Sequence, residues 1–224
     1  MCARFTLRKK KIARIASELD AELDPDDEPL YRPRYNVAPT DLAWIVEVSG
    51  DSRVLRPATW SYVVGDGKRR LVNVRGEQVG SGAGFKEAFA SRRCAVVTDG
   101  FYEWPGKGLA PFWFHRADDG LVLLAGLFQR ATGPGARPGF TVLTTRPNQL
   151  VGKVHDRMAV VLPGERLDEW LTGDPAQAAR LLAPAPEDAL VSTPVSKHVN
   201  SVRHDDETCV EPAAHEAPAQ RSLF

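Results

Sequence analysis

The chain has 224 residues, 43% of them hydrophobic, and its 29 basic and 29 acidic side chains cancel. This composition suits one large domain or two small ones with a real core, and it excludes a polycation that binds nucleic acid through its overall charge, so any such site must come from local clustering. The three cysteines, Cys2, Cys94 and Cys209, form no Cys-x-x-Cys pair, which argues against a disulfide framework and a zinc site.

The predicted elements begin with one helix and continue as short strands. Ile12, Ile15, Leu19 and Leu23 recur at helical spacing, so residues 11–23 (KIARIASELDAEL) are predicted to form an amphipathic helix. After the acidic segment DPDDEPLY, the pattern changes to runs rich in Val, Leu and aromatic residues, bounded by Gly, Pro and Asp. These predicted strand runs are LAWIVEVSG, RVLRPATWSYVV, RLVNVRG, RCAVVTDGFYEW, FWFHRA, LVLLAGLF, FTVLTT and MAVVL.

Two helices are predicted after the strands, ERLDEWLT and AQAARLLA, the second with Asp174 as N-cap and Pro175 in its first turn. The strand runs are too closely spaced for a series of βαβ units. We therefore predict a single α+β domain over residues 1–210, built around a largely antiparallel, barrel-like sheet with flanking helices. Residues 211–224 are rich in Pro and Ala and are predicted to be a flexible tail.

The residue at position 2 can supply two nucleophiles. If Met1 is removed, Cys2 bears an α-amine and a thiol on adjacent carbons, and both titrate near neutral pH, at about 7.7–8.0 and about 8.5. Such a 1,2-aminothiol can close a five-membered thiazolidine ring on an aldehyde, whereas an internal cysteine forms only a hemithioacetal and a lysine only a Schiff base. The alternative interpretation is a small residue at a frayed terminus.

Polar residues also interrupt the strand pattern. In LVNVRGE, Asn73, Arg75 and Glu77 would share one face of a strand, and the simpler alternative is the solvated face of a sheet. The acidic run at 205–207 is interpreted as a solvated face.

Two further residues have proton-transfer chemistry. Glu103 lies between Tyr102 and Trp104, and such surroundings can raise the pKa of a carboxyl into the range of a general acid. The alternative is an exposed carboxylate at the end of a hairpin. His155 enters the strand run VGKVHDRMAVVL, and histidine transfers protons at neutral pH, although a lone histidine can equally be a hydrogen-bonded structural residue.

Five short motifs follow one another along the chain: MCAR at 1–4, RYNVAP at 34–39, NVRGE at 73–77, DGFYEW at 99–104 and HDRMAVVL at 155–162. In their order and spacing the chain resembles the SOS response-associated peptidase (SRAP) family, from Cys2 to PVSKHVNSVR at 194–203. The resemblance implies an enzyme with a single α+β domain that binds single-stranded DNA and captures abasic sites covalently through its N-terminal cysteine. It implies catalytic roles for four residues: Cys2, Asn73, Glu103 and His155.

Within this resemblance, Glu103 is expected to shuttle protons during imine formation and His155 to help open the sugar ring or stabilise the leaving oxygen. Asn73 is expected to hold the Cys2 amine or the sugar oxygen. Arginine suits phosphate groups, and four residues are expected to contact the DNA: Arg4, Arg75, Thr144 and Arg157. We expect abasic single-stranded DNA as the partner, a monomer in the cytoplasm or on the nucleoid, no membrane association, and neither a metal nor an organic cofactor.

Two alternatives to covalent capture remain from the sequence. Cys2 can instead be the nucleophile of a thiol peptidase that cleaves peptide bonds or the chain's own Met1. The chain can also be a non-catalytic single-strand DNA-binding module, with Trp60, Tyr102 and Trp104 as a stacking surface. The segment WSYVVGDGKRR at 60–70 departs from the family pattern, which adds a third alternative, a site directed to a different aldehyde.

Overall fold

Strands make up most of the regular secondary structure in a computed structural model that describes residues 3–65, 67–80, 84–133 and 135–213. Within these ranges the helices are α1 (Ile12–Glu18), α2 (Lys86–Ser91), α3 (Gln149–Gly152), α4 (Leu167–Thr172) and α5 (Pro175–Arg180). The strands are β1 (Phe5–Leu7), β2 (Ala21–Leu23), β3 (Arg34–Val37), β4 (Leu42–Ser49), β5 (Ser52–Thr59), β6 (Tyr62–Val64), β7 (Arg69–Leu71), β8 (Asn73–Arg75), β9 (Arg93–Thr98), β10 (Gly100–Glu103), β11 (Phe112–His115), β12 (Val122–Gln129), β13 (Gly139–Thr145), β14 (Met158–Ala159), β15 (Val161–Leu162) and β16 (Val191–Pro194).

The largest sheet has nine strands and is partly ring-like. Its main order is β14-β13-β12-β9-β4-β5-β2, with β15 on β12 and β8 on β13. The ring arises because β13 also pairs with β5, where Gly139 lies opposite Thr59. A side chain at Gly139 would place its Cβ 2.3 Å from the carbonyl oxygen of Ser61, so only glycine allows the strands to approach this closely.

A second sheet carries the N-terminal strand. Its order is β16-β11-β10-β1-β3, and all of its pairings are antiparallel. Phe5 of β1 lies opposite Phe101 of β10, and Glu103 at the end of β10 lies opposite Phe112 of β11. A short hairpin of β6 and β7 forms from the divergent segment at 60–70. The predicted α+β class with a largely antiparallel sheet is therefore confirmed.

The core lies on both faces of the central strands. In β4, Ala43 and Ile45 pack into the ring while Trp44 and Val46 pack on the opposite face. The second face is covered by α1, α2, α4 and α5, which contribute buried residues to the same cluster. Because both faces are buried, the central strands are continuous apolar runs rather than alternating ones.

The helix predicted over residues 11–23 is wrong in its second half. The helix α1 ends at Glu18, Asp20 adopts a φ of 48°, and residues 21–23 form β2, which runs parallel to β5. Leu19 and Leu23 still turn toward the core, so the apolar spacing was satisfied by a helix followed by a strand.

The predicted start of α5 is confirmed. Asp174 accepts a hydrogen bond from the Gln177 backbone N–H (2.8 Å), and the Gln177 side chain accepts one from the Asp174 N–H (3.0 Å). This reciprocal pair is a capping box, with Pro175 in the first turn. None of the helices in the described ranges is both long and apolar enough to cross a membrane.

Candidate active site

Two of the predicted catalytic residues share one cleft. Glu103 ends β10, and His155 lies on the turn between α3 and β14. The cleft between these two segments has a volume of about 480 Å³. It is lined by Glu103, Trp104, Pro105, Gly106, Lys107, Val154, His155 and Asp156.

Glu103 forms the buried wall of this cleft. Only 1% of its surface is exposed, and this burial, with a smaller effect from the negative charge of Asp156, raises the pKa of Glu103 to about 7. The expectation of a raised pKa is confirmed. A carboxyl with this pKa is present in both protonation states at neutral pH, so it can donate and accept protons.

His155 is half-buried, and burial lowers its pKa, which favours the neutral ring. Its Nδ1 lies 3.0 Å from the backbone nitrogen of Arg157, 3.2 Å from the Arg157 carbonyl oxygen and 3.0 Å from the Asp156 carboxylate. Nδ1 therefore accepts from the N–H in one tautomer and donates to an oxygen in the other tautomer or in the protonated ring. The turn thus anchors the imidazole through Nδ1, and the Asp156 carboxylate stabilises its protonated form.

Arg157 is held by a network that connects the His155 turn to the NVRGE motif. Its guanidinium donates two hydrogen bonds to the Glu77 carboxylate (2.8 Å each) and one to the Thr144 carbonyl oxygen (2.7 Å). These hydrogen bonds lower the pKa of Glu77. Glu77 itself is outside the predicted strand face, because β8 ends at Arg75 and a 3₁₀ turn follows.

The expected DNA contact of Thr144 is corrected by its burial. Thr144 has no exposed surface, and its hydroxyl lies 3.3 Å from the Arg157 guanidinium. It therefore supports Arg157 instead of offering a surface to DNA. Arg75, which lies opposite Thr144 on β8, is exposed.

Asn73 lies on the same strand as Arg75, half-buried and opposite Val142 of β13. The described residues that line the cleft do not include Asn73. Its strand is nevertheless joined to the His155 turn, because β13 pairs with β8 through Thr144 and with β14 through Thr144 and Thr145. The sheet thus connects Asn73 to the cleft through one intervening strand.

Arg4 is fixed at the start of β1. Its side chain donates hydrogen bonds to the side-chain oxygen of Asn36 (2.8 Å) and to the Val199 carbonyl (3.0 Å). Its own carbonyl accepts a hydrogen bond from the backbone N–H of Tyr102 (3.0 Å), the residue before Glu103. Cys2, the predicted nucleophile, lies outside the described residues.

Asn36 is a buried polar residue that the sequence analysis did not select. Its side chain donates to the carbonyl oxygens of Val199, Ser201 and His204. It belongs to the RYNVAP motif, and an amide between a tyrosine and a valine was the available signal.

Asp99 opens the DGFYEW motif, and the sequence analysis assigned it no role. Its carboxylate is 1% exposed, accepts a hydrogen bond from the Arg8 backbone N–H (2.8 Å) and pairs with the Arg8 guanidinium (3.2 Å). It holds β1 against the strand that leads to Glu103.

The predicted aromatic stacking surface is contradicted. Trp60 and Tyr102 have no exposed surface; Trp60 packs inside the ring against Phe5 and Phe140. Only Trp104 of the three is half-buried, and its indole N–H donates to Asn200. A binding surface made of all three rings does not exist in this fold.

Comparison with known proteins identifies relatives along nearly the whole chain. The chain is 30% identical over 224 residues to the abasic site processing protein YoqW of Bacillus subtilis, covering 94% of this chain and 99% of that protein. It is 29% identical over 226 residues to the abasic site processing protein YedK of Escherichia coli, covering 95% and 100%. The abasic site processing protein HMCES of Gallus gallus is 29% identical over 226 residues, covering 81% and 67%.

Solved structures share the fold. A protein of Bacteroides thetaiotaomicron superposes with a TM-score of 0.80 at 20% identity, covering 95% of this chain and 100% of that one. A phage-related protein of Bordetella bronchiseptica superposes with a TM-score of 0.68 at 26% identity, covering 87% and 94%. The family model described as SOS response associated peptidase (SRAP) matches residues 1–202. With this match, and with Glu103 and His155 of two of its motifs lining one cleft, the chain belongs to the SRAP family.

Proposed function

We propose that this protein binds single-stranded DNA and captures abasic sites covalently through the amine and thiol of Cys2, after removal of Met1. One observation carries the proposal: Glu103, buried and with a pKa of about 7, shares a cleft with His155 at the end of the strand that pairs with β1. The printed names of the relatives, abasic site processing proteins, point to the same class of substrate.

The chain path supports a reaction at this cleft. The Arg4 carbonyl is hydrogen-bonded to the N–H of Tyr102, and Glu103 is the next residue along β10. Two residues of chain span at most about 7 Å, so Cys2 cannot be farther than this from the Arg4 backbone. An amine and thiol at position 2 are thus tethered near Glu103, which raises their effective concentration there.

The proposed reaction begins with the ring-opened form of an abasic site, which is an aldehyde. The Cys2 amine adds to the aldehyde carbon to form a carbinolamine, whose hydroxyl leaves as water to form an imine. The Cys2 sulfur then adds to the imine carbon, and the imine nitrogen takes up a proton. The product is a thiazolidine, and the overall change is the loss of one water from protein and DNA.

Glu103 has the properties that two of these steps require. In its protonated form it donates a proton to the departing hydroxyl of the carbinolamine. In its ionised form it accepts the proton that the Cys2 thiol loses. Both forms are available near pH 7 because burial raises its pKa to about that value.

In this proposal, His155 opens the sugar ring. Its protonated ring donates a proton to the ring oxygen of a closed abasic sugar. The bond between that oxygen and the anomeric carbon breaks, and the anomeric hydroxyl loses its proton to water, which releases the aldehyde. Asp156, 3.0 Å from Nδ1, stabilises the imidazolium form that donates, and the neutral ring then takes up a proton from solvent.

Three arginines make the proposed DNA contacts; Arg75 is exposed, and Arg4 and Arg157 are half-buried. Arg75 is exposed and offers its guanidinium to a phosphate. Arg4 contacts DNA beside the lesion, and Arg157 binds a phosphate by exchanging it for the Glu77 carboxylate. Asn73 orients the Cys2 amine or the sugar oxygen from β8.

Intact-mass spectrometry under denaturing conditions tests the proposal directly. The purified protein is measured alone and after mixing with a single-stranded oligonucleotide that contains one abasic site. We expect loss of Met1 and an adduct with the mass of protein plus DNA less one water. Cys2→Ala should form no adduct, while Cys94→Ala, which changes a buried cysteine in the core, should form it normally.

Two results would overturn covalent capture. The first is a protein without Met1 that forms no adduct, and the second is an adduct that persists in Cys2→Ala. Removal of Met1 that depends on Cys2, without any adduct, would instead support a thiol peptidase.

A further inference from the structure

A cluster of three potential metal ligands lies near the end of the described chain. The ring nitrogen of His198, a carboxylate oxygen of Asp206 and the sulfur of Cys209 are all within 4.8 Å of one another. His198 Nε2 and the Asp206 carboxylate are 3.1 Å apart. Two 3₁₀ turns, Lys197–Asn200 and Glu207–Cys209, bring these residues together.

The acidic run at 205–207 is not a uniform solvated face. Asp205 pairs with Arg34 and accepts hydrogen bonds from the backbone N–H groups of Tyr35 and Asn36. Glu207 accepts one from the hydroxyl of Tyr35 (3.0 Å). Asp206 alone of the three faces the histidine and the cysteine.

The three ligand residues are held in orientation by their neighbours. The His198 ring stacks on His204 with ring centres 3.8 Å apart, and His204 Nδ1 donates to the His198 carbonyl (2.6 Å). One oxygen of Asp206 accepts from the Thr208 backbone N–H (3.1 Å), which directs the other toward His198. Such outer contacts are typical of metal sites, where they orient the ligands before the ion binds.

Cys209 completes the set. Its residue is fully buried, its carbonyl accepts from the Tyr102 hydroxyl (3.3 Å), and its thiol donates to the His204 carbonyl (3.6 Å). The thiol is thus directed into the protein beside the histidine pair, while the exposed Asp206 leaves a path from solvent.

The donor atoms match zinc. A nitrogen, a carboxylate oxygen and a thiolate sulfur are ligands of Zn²⁺, with bonds of about 2.0–2.3 Å, which in a tetrahedral site separates the ligand atoms by roughly 3.3–3.8 Å. The present spread of up to 4.8 Å closes to that size with small side-chain rotations. The two negative charges of a thiolate and a carboxylate balance the ion.

We propose that His198, Asp206 and Cys209 bind one Zn²⁺, with water in the fourth position. Binding breaks the S–H bond of Cys209, and the proton is released to solvent while the sulfur keeps the electron pair and coordinates the ion. This site departs from the sequence-based expectation that the protein has no metal. It lies apart from the Glu103 cleft, and the residues that line the two do not overlap.

A metal here would stabilise two contacts of the candidate active site. The turn that carries His198 also supplies the Val199 carbonyl to Arg4 and the Asn200 side chain to Trp104. Zinc therefore joins the turn Lys197–Asn200, which holds the start of β1, to the turn Glu207–Cys209 that follows it. Its role is to order this part of the fold.

The test measures binding of Zn²⁺ alone, with no DNA, so its outcome is independent of abasic-site capture. The N-terminal aminothiol is itself a chelator, so all variants are made in the Cys2→Ala background. We expect one bound zinc per chain, and with Co²⁺ as a substitute, an absorption band from thiolate-to-metal charge transfer. Cys209→Ser should abolish the band, and His198→Phe, which keeps the ring stack, should weaken binding at least about 100-fold.

A second measurement covers the case in which Cys209→Ser does not fold. Asp206 is exposed, so Asp206→Asn should fold while losing a ligand. Zinc at 100 times its Kd should raise the Tm of the parent by about 5–11 °C and that of Asp206→Asn much less. His115→Asn, which changes a half-buried histidine elsewhere, is the matched control and should respond like the parent. The proposal would be overturned if the parent bound no zinc, or if Cys209→Ser and Asp206→Asn bound zinc as tightly as the parent.

Discussion

Replacing Glu103 with glutamine should slow abasic-site capture and stabilise the fold at the same time. The two effects have one cause, because the carboxyl is 1% exposed and has its pKa raised from 4.5 to about 7 by burial. Glutamine keeps the size of the side chain but can neither give nor take the proton. A general acid or base contributes about 10²–10⁴-fold to a rate, so we expect capture at pH 7 to fall by about 100-fold or more.

The stability effect has a definite sign. The folded state holds a proton on Glu103 that the unfolded state releases above pH 4.5. The wild-type protein therefore loses stability as the pH rises from 4.5 to about 7, and this contribution to its stability is constant at higher pH. An upward shift of this size corresponds to about 3 kcal/mol. Glu103→Gln removes the loss, so at pH 8 its Tm should exceed that of the wild type by up to about 6–12 °C.

Two assays check this prediction. Capture rates are followed on denaturing gels between pH 5 and 9, and thermal unfolding is measured over the same range. The wild-type rate should show an inflection near pH 7 that the variant lacks. Glu47→Gln is the matched control, since Glu47 is a buried glutamate of β4 whose pKa is also raised by burial, and it should leave the capture rate unchanged. A Glu103→Gln rate close to wild type, or a Tm at pH 8 no higher than wild type, would refute the reasoning.

Three further predictions test the surrounding residues. His155→Gln should slow capture of a natural abasic site about 100-fold but barely affect an oligonucleotide whose aldehyde cannot form a ring; equal losses on both substrates would count against a role in ring opening. Arg75→Gln should weaken DNA binding and reduce the salt slope of that binding by about one. Glu77→Gln should tighten DNA binding because it removes the carboxylate 2.8 Å from the Arg157 guanidinium. Titrations at several salt concentrations test both, and an unchanged slope in Arg75→Gln or unchanged affinity in Glu77→Gln would contradict the contact concerned. Gly100→Ala should lower the Tm by about 2–12 °C, because its Cβ would lie 2.2 Å from the indole nitrogen of Trp113, while Gly164→Ala, with open space around it, should not.

Much of the element order follows from local sequence signals. Each of the eight predicted runs holds one or two strands, and Asp174 formed the cap of α5 as expected. The strands β1, β2, β3 and β16 lie outside the predicted runs. Such signals are local because backbone preferences and apolar periodicity act over a few residues. The same locality explains the error at residues 11–23, where a helix spacing of leucines was equally compatible with a turn at Asp20 and a strand.

The candidate site was likewise predictable only in part. The raised pKa of Glu103 was predictable because its neighbours in sequence, Tyr102 and Trp104, stay near it in the fold. That His155 would line the same cleft followed from the resemblance to a family and not from the residues themselves. The roles of Asn36 and Asp99 were not predicted because their partners come from distant segments.

By itself, the sequence determined the α+β class, the strands of the central apolar runs and the raised pKa of Glu103. Only the tertiary structure decided that Trp60 and Thr144 are buried, that Arg157 is paired with Glu77, and that His198 meets Asp206 and Cys209. The physical reason is that the exposure and charge partners of a side chain depend on which strands and turns pack around it. Those neighbours are far away along the chain, and closure of the sheet brings them together.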